Sequence, residues 1–148
     1  MGKETEMGHQ GWKTAHLSEI EPILEPEAGL EEWLPVRHRL GVSAFGVNAW
    51  VAREAGDRVI EEHDEVNSSG AADHEELYLV LEGHAAFTVD GEEIDAPRGT
   101  LVFVRDPALV RTAVGREPGT TVLAVGAAPG EVFEVSPWER RHTERSGT

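Results

Sequence analysis

Two short segments carry side chains of the types that hold a metal ion or move a proton. One residue separates His63 from Glu65, and one residue separates His74 from Glu76. Successive side chains of an extended strand alternate faces, so the members of each pair share a face wherever the segment is extended. Two imidazoles and two carboxylates converging from such strands offer nitrogen and oxygen donors. That set suits Mn, Fe, Ni or Zn better than Ca. The same residues have a plainer reading. Glu61-Glu62-His63-Asp64-Glu65 is equally an acidic, solvated strand end, and His74 can serve only to bond its loop.

A second group could line a cavity. Asn48, Trp50 and Tyr78 are amide and aromatic groups of the kind that orient a small molecule in a largely apolar pocket. They serve equally well as filling. Arg105 and Arg111 could hold an anionic ligand by charge-assisted hydrogen bonds, or pair with nearby carboxylates. His38 falls on an apolar strand face and reads as a core residue. His84 follows a turn glycine and is expected to face solvent. His9, His16 and His142 lie near the termini and are given no role.

The elements that must position these groups are short strands. Leu34, Val36, His38 and Leu40 alternate with Pro35, Arg37 and Arg39 and predict a strand. Phe45 to Val51 and Val59 to Glu65 predict the next two. A polar loop, Asn67 to Asp73, precedes Glu76 to Glu82, where Leu77, Leu79 and Leu81 alternate with Tyr78 and Val80. Gly83 ends that strand, and His84 to Asp90 is expected to pair back on it. Asp90-Gly91 is a hairpin signal, because both turn residues need positive φ. Leu101 to Val104 is a continuous apolar run, as in a strand buried on both faces, and Val110 to Val114 and Thr121 to Val125 complete the set. Ser136-Pro137-Trp138-Glu139 carries a capping box and starts one short helix. Strands at this spacing, with Gly and Pro turns, argue for an all-β sandwich or barrel. Residues 1–13 read as a flexible leader, 14–135 as the barrel and 136–148 as a short helix and tail.

The stretch from Gly56 to Val125 resembles the cupin superfamily, most clearly in His74-Glu75-Glu76-Leu77-Tyr78-Leu79-Val80-Leu81-Glu82-Gly83 followed by the Asp-Gly turn and Ala96-Pro97-Arg98-Gly99. The resemblance implies a double-stranded β-helix, or jelly-roll, barrel. It also implies a metal held by residues of two motifs. In the first, Gly56, His63 and Glu76 stand at family positions, six residues separate Glu76 from Gly83, and Glu65 replaces the second histidine. In the second, counted from Gly99, the last histidine falls on Val110. Any metal would then rest on His63, Glu65, His74 and Glu76, with an apolar fourth side and open positions filled by water or ligand. Cupins also commonly pair N-terminal strands between subunits, which makes Glu31 to Leu40 a candidate for exchange in a homodimer.

Composition excludes several classes. The 148 residues contain no cysteine, so disulfides and thiolate sites are absent. Thirteen Lys and Arg face 28 Asp and Glu, for a formal charge of -15. No cationic face is available to displace phosphate counterions, so no nucleic acid is expected to bind. No segment approaches the ~20 apolar residues of a membrane span. No signal sequence is visible near Met1, and a cytoplasmic location is expected. Three functions remain open: a barrel that binds a small molecule, a divalent-metal enzyme of dioxygenase or isomerase type, and a dimeric interaction module.

Overall fold

The structure, a computed structural model, describes residues 11–25, 30–66 and 73–145. Most of the proposed leader, His9, residues 67–72 of the polar loop and the last three residues lie outside that range. The described elements are a 3₁₀ turn at Leu17–Glu19, β1 (Ile23–Glu25), β2 (Leu30–Leu34), α1 (Val36–Leu40), β3 (Gly46–Val51) and β4 (Arg58–His63). There follow β5 (Glu75–Glu82), β6 (His84–Val89), β7 (Glu92–Pro97), β8 (Leu101–Val104), β9 (Arg111–Gly115), β10 (Thr121–Ala127) and α2 (Pro137–Arg145).

The strands lie in the order β7-β6-β9-β4-β2-β3-β10-β5-β8, with β1 paired to β2. All pairings are antiparallel except one contact of β2 with β4, at Leu30 and Arg58. The path folds over at β2 into two facing layers. Val59, Ile60, Ala85, Phe87 and Ala113 of one layer pack with Tyr78, Val80, Val102, Val122 and Ala124 of the other. The Tyr78 and Phe87 rings are 5.4 Å apart across this core. A second cluster covers the outside of β3 and β10, where Ile20, Leu34 and Val36 lie over Val47 and Ala49.

The strand expected at 34–40 is interrupted. β2 ends at Leu34, and Val36–Leu40 forms one helical turn closed by Gly41 at φ 76°. Val36 and Leu40, four apart, both pack on the outer cluster, so the apolar spacing that fits alternation also fits a helix face. His38 thus sits on a helix, where burial and the neighbouring Arg37 lower its pKa. Of the stretch proposed for exchange, 36–40 is therefore helix rather than strand.

Two other expectations change. β6 does not pair back on β5. It crosses to the other layer and lies between β7 and β9. The run Leu101–Val104 is buried on one face only: Val102 and Val104 point inward, whereas Leu101 and Phe103 are 61% and 49% exposed. Among the described residues β8 ends the sheet.

The crossing at Gly83 explains its residue type. Its φ is +78°, and a Cβ there would lie 2.5 Å from Thr120 Oγ1 and 2.7 Å from Thr120 Cα. Thr120 is fully buried and its hydroxyl donates to the His84 carbonyl at 3.2 Å, which locks the crossover. In the β6–β7 turn, Asp90 and Gly91 have the expected positive φ, 53° and 81°, and a Cβ on Gly91 would meet nothing. Gly91→Ala should therefore cost only the left-handed backbone strain, about 1–2 kcal/mol. Gly83→Ala should add a steric clash and cost at least about 3 kcal/mol in total. Urea midpoints of the two variants will separate these outcomes.

Candidate functional site

At one mouth of the barrel β4 ends, β5 begins and β9 begins. His63 and Arg111 are register partners on β4 and β9. Glu76 and Tyr78 share the inner face of β5, opposite Gly126 and Ala124 of β10. Gly126 is glycine for a local reason: a Cβ would come 3.0 Å from the Glu75 carbonyl oxygen and 3.1 Å from Glu76 Cγ.

The side chains meet in one connected cluster. His63 Nε2 lies 2.8 Å from Glu65 Oε2 and 3.5 Å from Glu76 Oε1. Its Nδ1 faces the Glu61 carbonyl at 2.6 Å. Arg111, with no exposed side-chain surface, donates from Nη1 to Glu76 Oε1 at 3.0 Å and lies 3.7 Å from Glu65 Oε2. Its Nε donates to the Leu109 carbonyl at 2.9 Å and its Nη2 to that of Asp106 at 3.4 Å. The Tyr78 hydroxyl donates to Glu76 as well. Glu65 Oε1 is buried and has no hydrogen-bond partner among the described residues. His74 Nδ1 stands 3.7 Å from that oxygen.

Burial alone would push the His63 imidazolium toward losing its proton. Hydrogen bonds to Glu65 and Glu76, with the Glu76 charge, outweigh it and hold the pKa up at about 10. Burial raises the Glu65 carboxyl above the ordinary range despite its bond to His63. Glu76 moves the other way, because its donors and the two cations outweigh its burial. Burial and the adjacent Glu76 carboxylate keep the Tyr78 phenol protonated.

Tyr78 is core, 1% exposed, and reaches the cluster through its hydroxyl alone. The remaining candidates disperse. Asn48 donates from Nδ2 to Glu139 Oε1 at 3.2 Å, and Glu139 also receives Arg37 Nε at 2.5 Å. The Ser136 hydroxyl accepts the Glu139 amide at 3.2 Å, as the cap requires. Trp50 packs on the inner core; its Nε1, Asn48 Oδ1 and Trp33 Nε1 are buried without hydrogen-bond partners among the described residues. Arg105 lies outside the mouth, 5.2 Å over the Phe103 ring and 3.7 Å from Glu75. His84 pairs with Asp95 at 2.6 Å. Val110, expected at the fourth ligand position, is 44% exposed; the inward residue is its neighbour Arg111. That side of the site is therefore cationic rather than apolar.

Sequence reasoning missed Phe133. Its ring lies 5.8 Å from His74 and packs over Gly46, where a Cβ would be 3.4 Å from Phe133 Cε1. It forms an aromatic wall beside the mouth.

No protein-family model matches the chain, and no curated protein does. Solved structures do. A cupin protein from Bacteroides fragilis aligns over 86% of this chain and 92% of its own, at 17% identity and TM-score 0.59. A sugar phosphate isomerase of the cupin superfamily from Silicibacter pomeroyi aligns over 78% and 75%, at 21% identity and TM-score 0.61. The chain has the cupin fold. KdgF from Halomonas sp. shares this cupin architecture over 76% of this chain and 93% of its own, at 16% identity and TM-score 0.54.

The cupin fold implies a metal at this mouth, and His63, Glu65 and Glu76 do bring three donor atoms within 4.8 Å of one another. The donor types suit a divalent transition metal, but their surroundings do not. A dication on Glu76 Oε1 would sit about 5 Å from the Arg111 guanidinium, a repulsion on the order of 5 kcal/mol at an effective dielectric of about 20. It would also have to displace the His63 proton, which the Glu65 and Glu76 carboxylates hold in place. With His63 charged, two cations already balance two carboxylates. His74, the fourth expected ligand, stands 3.7 Å from Glu65 Oε1 and outside the group of three converging donors. Three donors for a divalent cation are thus grouped here, with Arg111 and the His63 proton opposing one.

Two outcomes follow. Wild-type protein should carry no stoichiometric Mn, Fe, Ni or Zn by elemental analysis after desalting. Arg111→His, which exchanges the guanidinium for an imidazole, should bind Zn measurably by calorimetry at pH 8. Stoichiometric metal in the wild type would overturn this assignment. Second, His63 has a folded-state pKa above its unfolded value near 6.5, so its stabilisation is full below about 6.5 and lost as pH rises through about 10. Unfolding free energy should fall by a few kcal/mol, in order of magnitude, between those limits. His63→Gln should flatten that slope in urea titrations.

Proposed function

We propose that this cupin binds a small, neutral, hydroxyl-bearing molecule at the barrel mouth without a metal. The observation that carries the reading is Glu65 Oε1: a buried acceptor with no hydrogen-bond donor among the described residues, in a cluster otherwise paired and charge-balanced. An unsatisfied buried oxygen of this kind costs about 1–3 kcal/mol, more when charged. A ligand hydroxyl supplies the missing donor without disturbing the balance. An anion would meet two carboxylates, and a dication would meet Arg111.

The surroundings support a small guest. His63, His74 and Glu76 are partly accessible, with side-chain exposures of 25%, 15% and 16%. His74 and Phe133 give an aromatic flank. Apolar walls with a few placed polar groups are the usual composition of small-ligand sites. The description of the Silicibacter pomeroyi structure as a sugar phosphate isomerase makes polyhydroxylated molecules a sensible first panel.

A panel of neutral monosaccharides and polyols, screened by amide chemical-shift changes in labelled protein, tests this. A binder should move resonances of His63 to Glu65 and Glu75 to Tyr78. Glu65→Ala should keep the fold and weaken binding at least about tenfold, equivalent to about 1.4 kcal/mol. No response to any member, or equal response in wild type and Glu65→Ala, would refute the reading.

A further inference from the structure

The groups around Glu65 Oε1 close into a rim. His74 Nδ1 stands 3.7 Å from that oxygen, and the Phe133 ring lies 5.8 Å from the His74 ring. Phe133 meets Gly46 through Cε1 and Cζ, the far edge of its ring. Gly46 is the register partner of Gly126, and Gly126 is that of Glu76. Partners directly opposite one another share a sheet face. A Cβ on Gly126 would lie 3.7 Å from Glu76 Oε2. Phe133 and Glu76 therefore stand side by side over two neighbouring glycines. Glu76 then leads back through His63 to Glu65, at 3.5 and 2.8 Å.

Two carboxylate oxygens on this rim are left over by the cluster. Arg111, Tyr78 and His63 all approach Glu76 at Oε1, and Oε2 lies over Gly126. Glu65 turns Oε2 to His63 and Arg111, and its Oε1 has no hydrogen-bond partner among the described residues. The two carboxylates are close, with an oxygen of each within 4.8 Å of the other. Phe133 completes the picture. Glu131, Val132 and Glu134 beside it are exposed, Val132 at 90%, whereas Phe133 is half-buried at the mouth. The strap brings one aromatic ring to the place where the two spare oxygens lie.

We infer that the guest is a saturated ring with hydroxyls on two neighbouring carbons, bound by Glu65 Oε1 and Glu76 Oε2, with its C–H face on Phe133. The inference rests on the hydroxyl-binding reading of Glu65 and adds a second anchor and a platform. Neighbouring hydroxyls reach two acceptors this close through ordinary O–H···O bonds of about 2.7 Å, and bonds to carboxylates are the stronger kind. A lone hydroxyl serves one oxygen and leaves the other without a donor. C–H groups polarised by adjacent oxygens carry partial positive charge, which the negative face of a phenyl ring attracts. Phe133 is thus a specificity-determining residue, and the two glutamates select for the paired hydroxyls.

Amide chemical-shift titrations with cis-cyclohexane-1,2-diol and with cyclohexanol test this, because the two differ by one hydroxyl. The diol should bind wild type at least about tenfold more tightly than cyclohexanol, and Glu65→Ala should bring the two within about twofold of each other. Phe133 lies in an irregular, largely exposed strap, so its variants should keep the circular dichroism of the wild type. Phe133→Leu keeps apolar cover on Gly46 but removes the ring, and should weaken the diol at least about threefold; Phe133→Trp should restore it. Equal affinity for diol and cyclohexanol would overturn the paired anchor. Undiminished diol binding by Phe133→Leu would overturn the platform. A diol that does not bind at all would overturn the inference, and a response to the polyol panel beside it would leave the hydroxyl-binding reading standing.

Discussion

A guanidinium with no exposed surface governs the barrel mouth. Burying an unpaired charge is prohibitively costly, so Arg111 must be matched by an anion and by acceptors for its remaining N–H groups. Glu76 and the carbonyls of Leu109 and Asp106 provide them. Glu65 brings a second carboxylate into the same space, and that needs a second cation, which is His63. Each member of the set is tolerable inside the protein only because the others are present. A fixed organic cation thereby stands beside the donors that a metal ion would use.

Much of this was legible in the residues. The alternation in Glu76 to Glu82 and the Asp90-Gly91 turn mark strands and a hairpin that the structure contains, because period two and positive φ are local properties. That His63 and Glu65 share a face followed from spacing, and their meeting with Glu76 was implied by the family resemblance. The role of Arg111 did not. Counting from Gly99 lands on Val110, and a shift of one residue exchanges the two faces of a strand. The alternation of Arg111, Ala113 and Gly115 with Thr112 and Val114 held the signal: small residues inward at 113 and 115 place Arg111 inward too. The turn at Val36 to Leu40 was ambiguous for a different reason, since residues four apart satisfy both periods. The partners of Gly83 and Gly126 lie across the sheet and leave no local mark.

The C-terminal helix shows how a polar cluster can serve packing alone. α2 rests its Trp138 on Trp33, ring centroids 4.5 Å apart, and Glu139 ties Arg37 of α1 to Asn48 of β3. A capping box would have turned Glu139 back on its own backbone. Here the carboxylate is drawn to the stronger, charge-assisted partner instead. The strap that carries Phe133 is consequently fixed at both ends, by β10 and by α2.

The topology carries a kinetic consequence. β6 and β7 meet through a tight turn, but β4 must find β9, and β10 must find both β3 and β5, across long stretches of chain. Loop-closure entropy is lost before those contacts return anything. Chains of this kind fold in milliseconds to seconds rather than microseconds. Arg111 and its carboxylates come from three such distant strands, so their charges stay hydrated until the barrel has closed around them. The ionic knot at the mouth is a late arrival in folding: it holds a finished barrel shut and does little to build one.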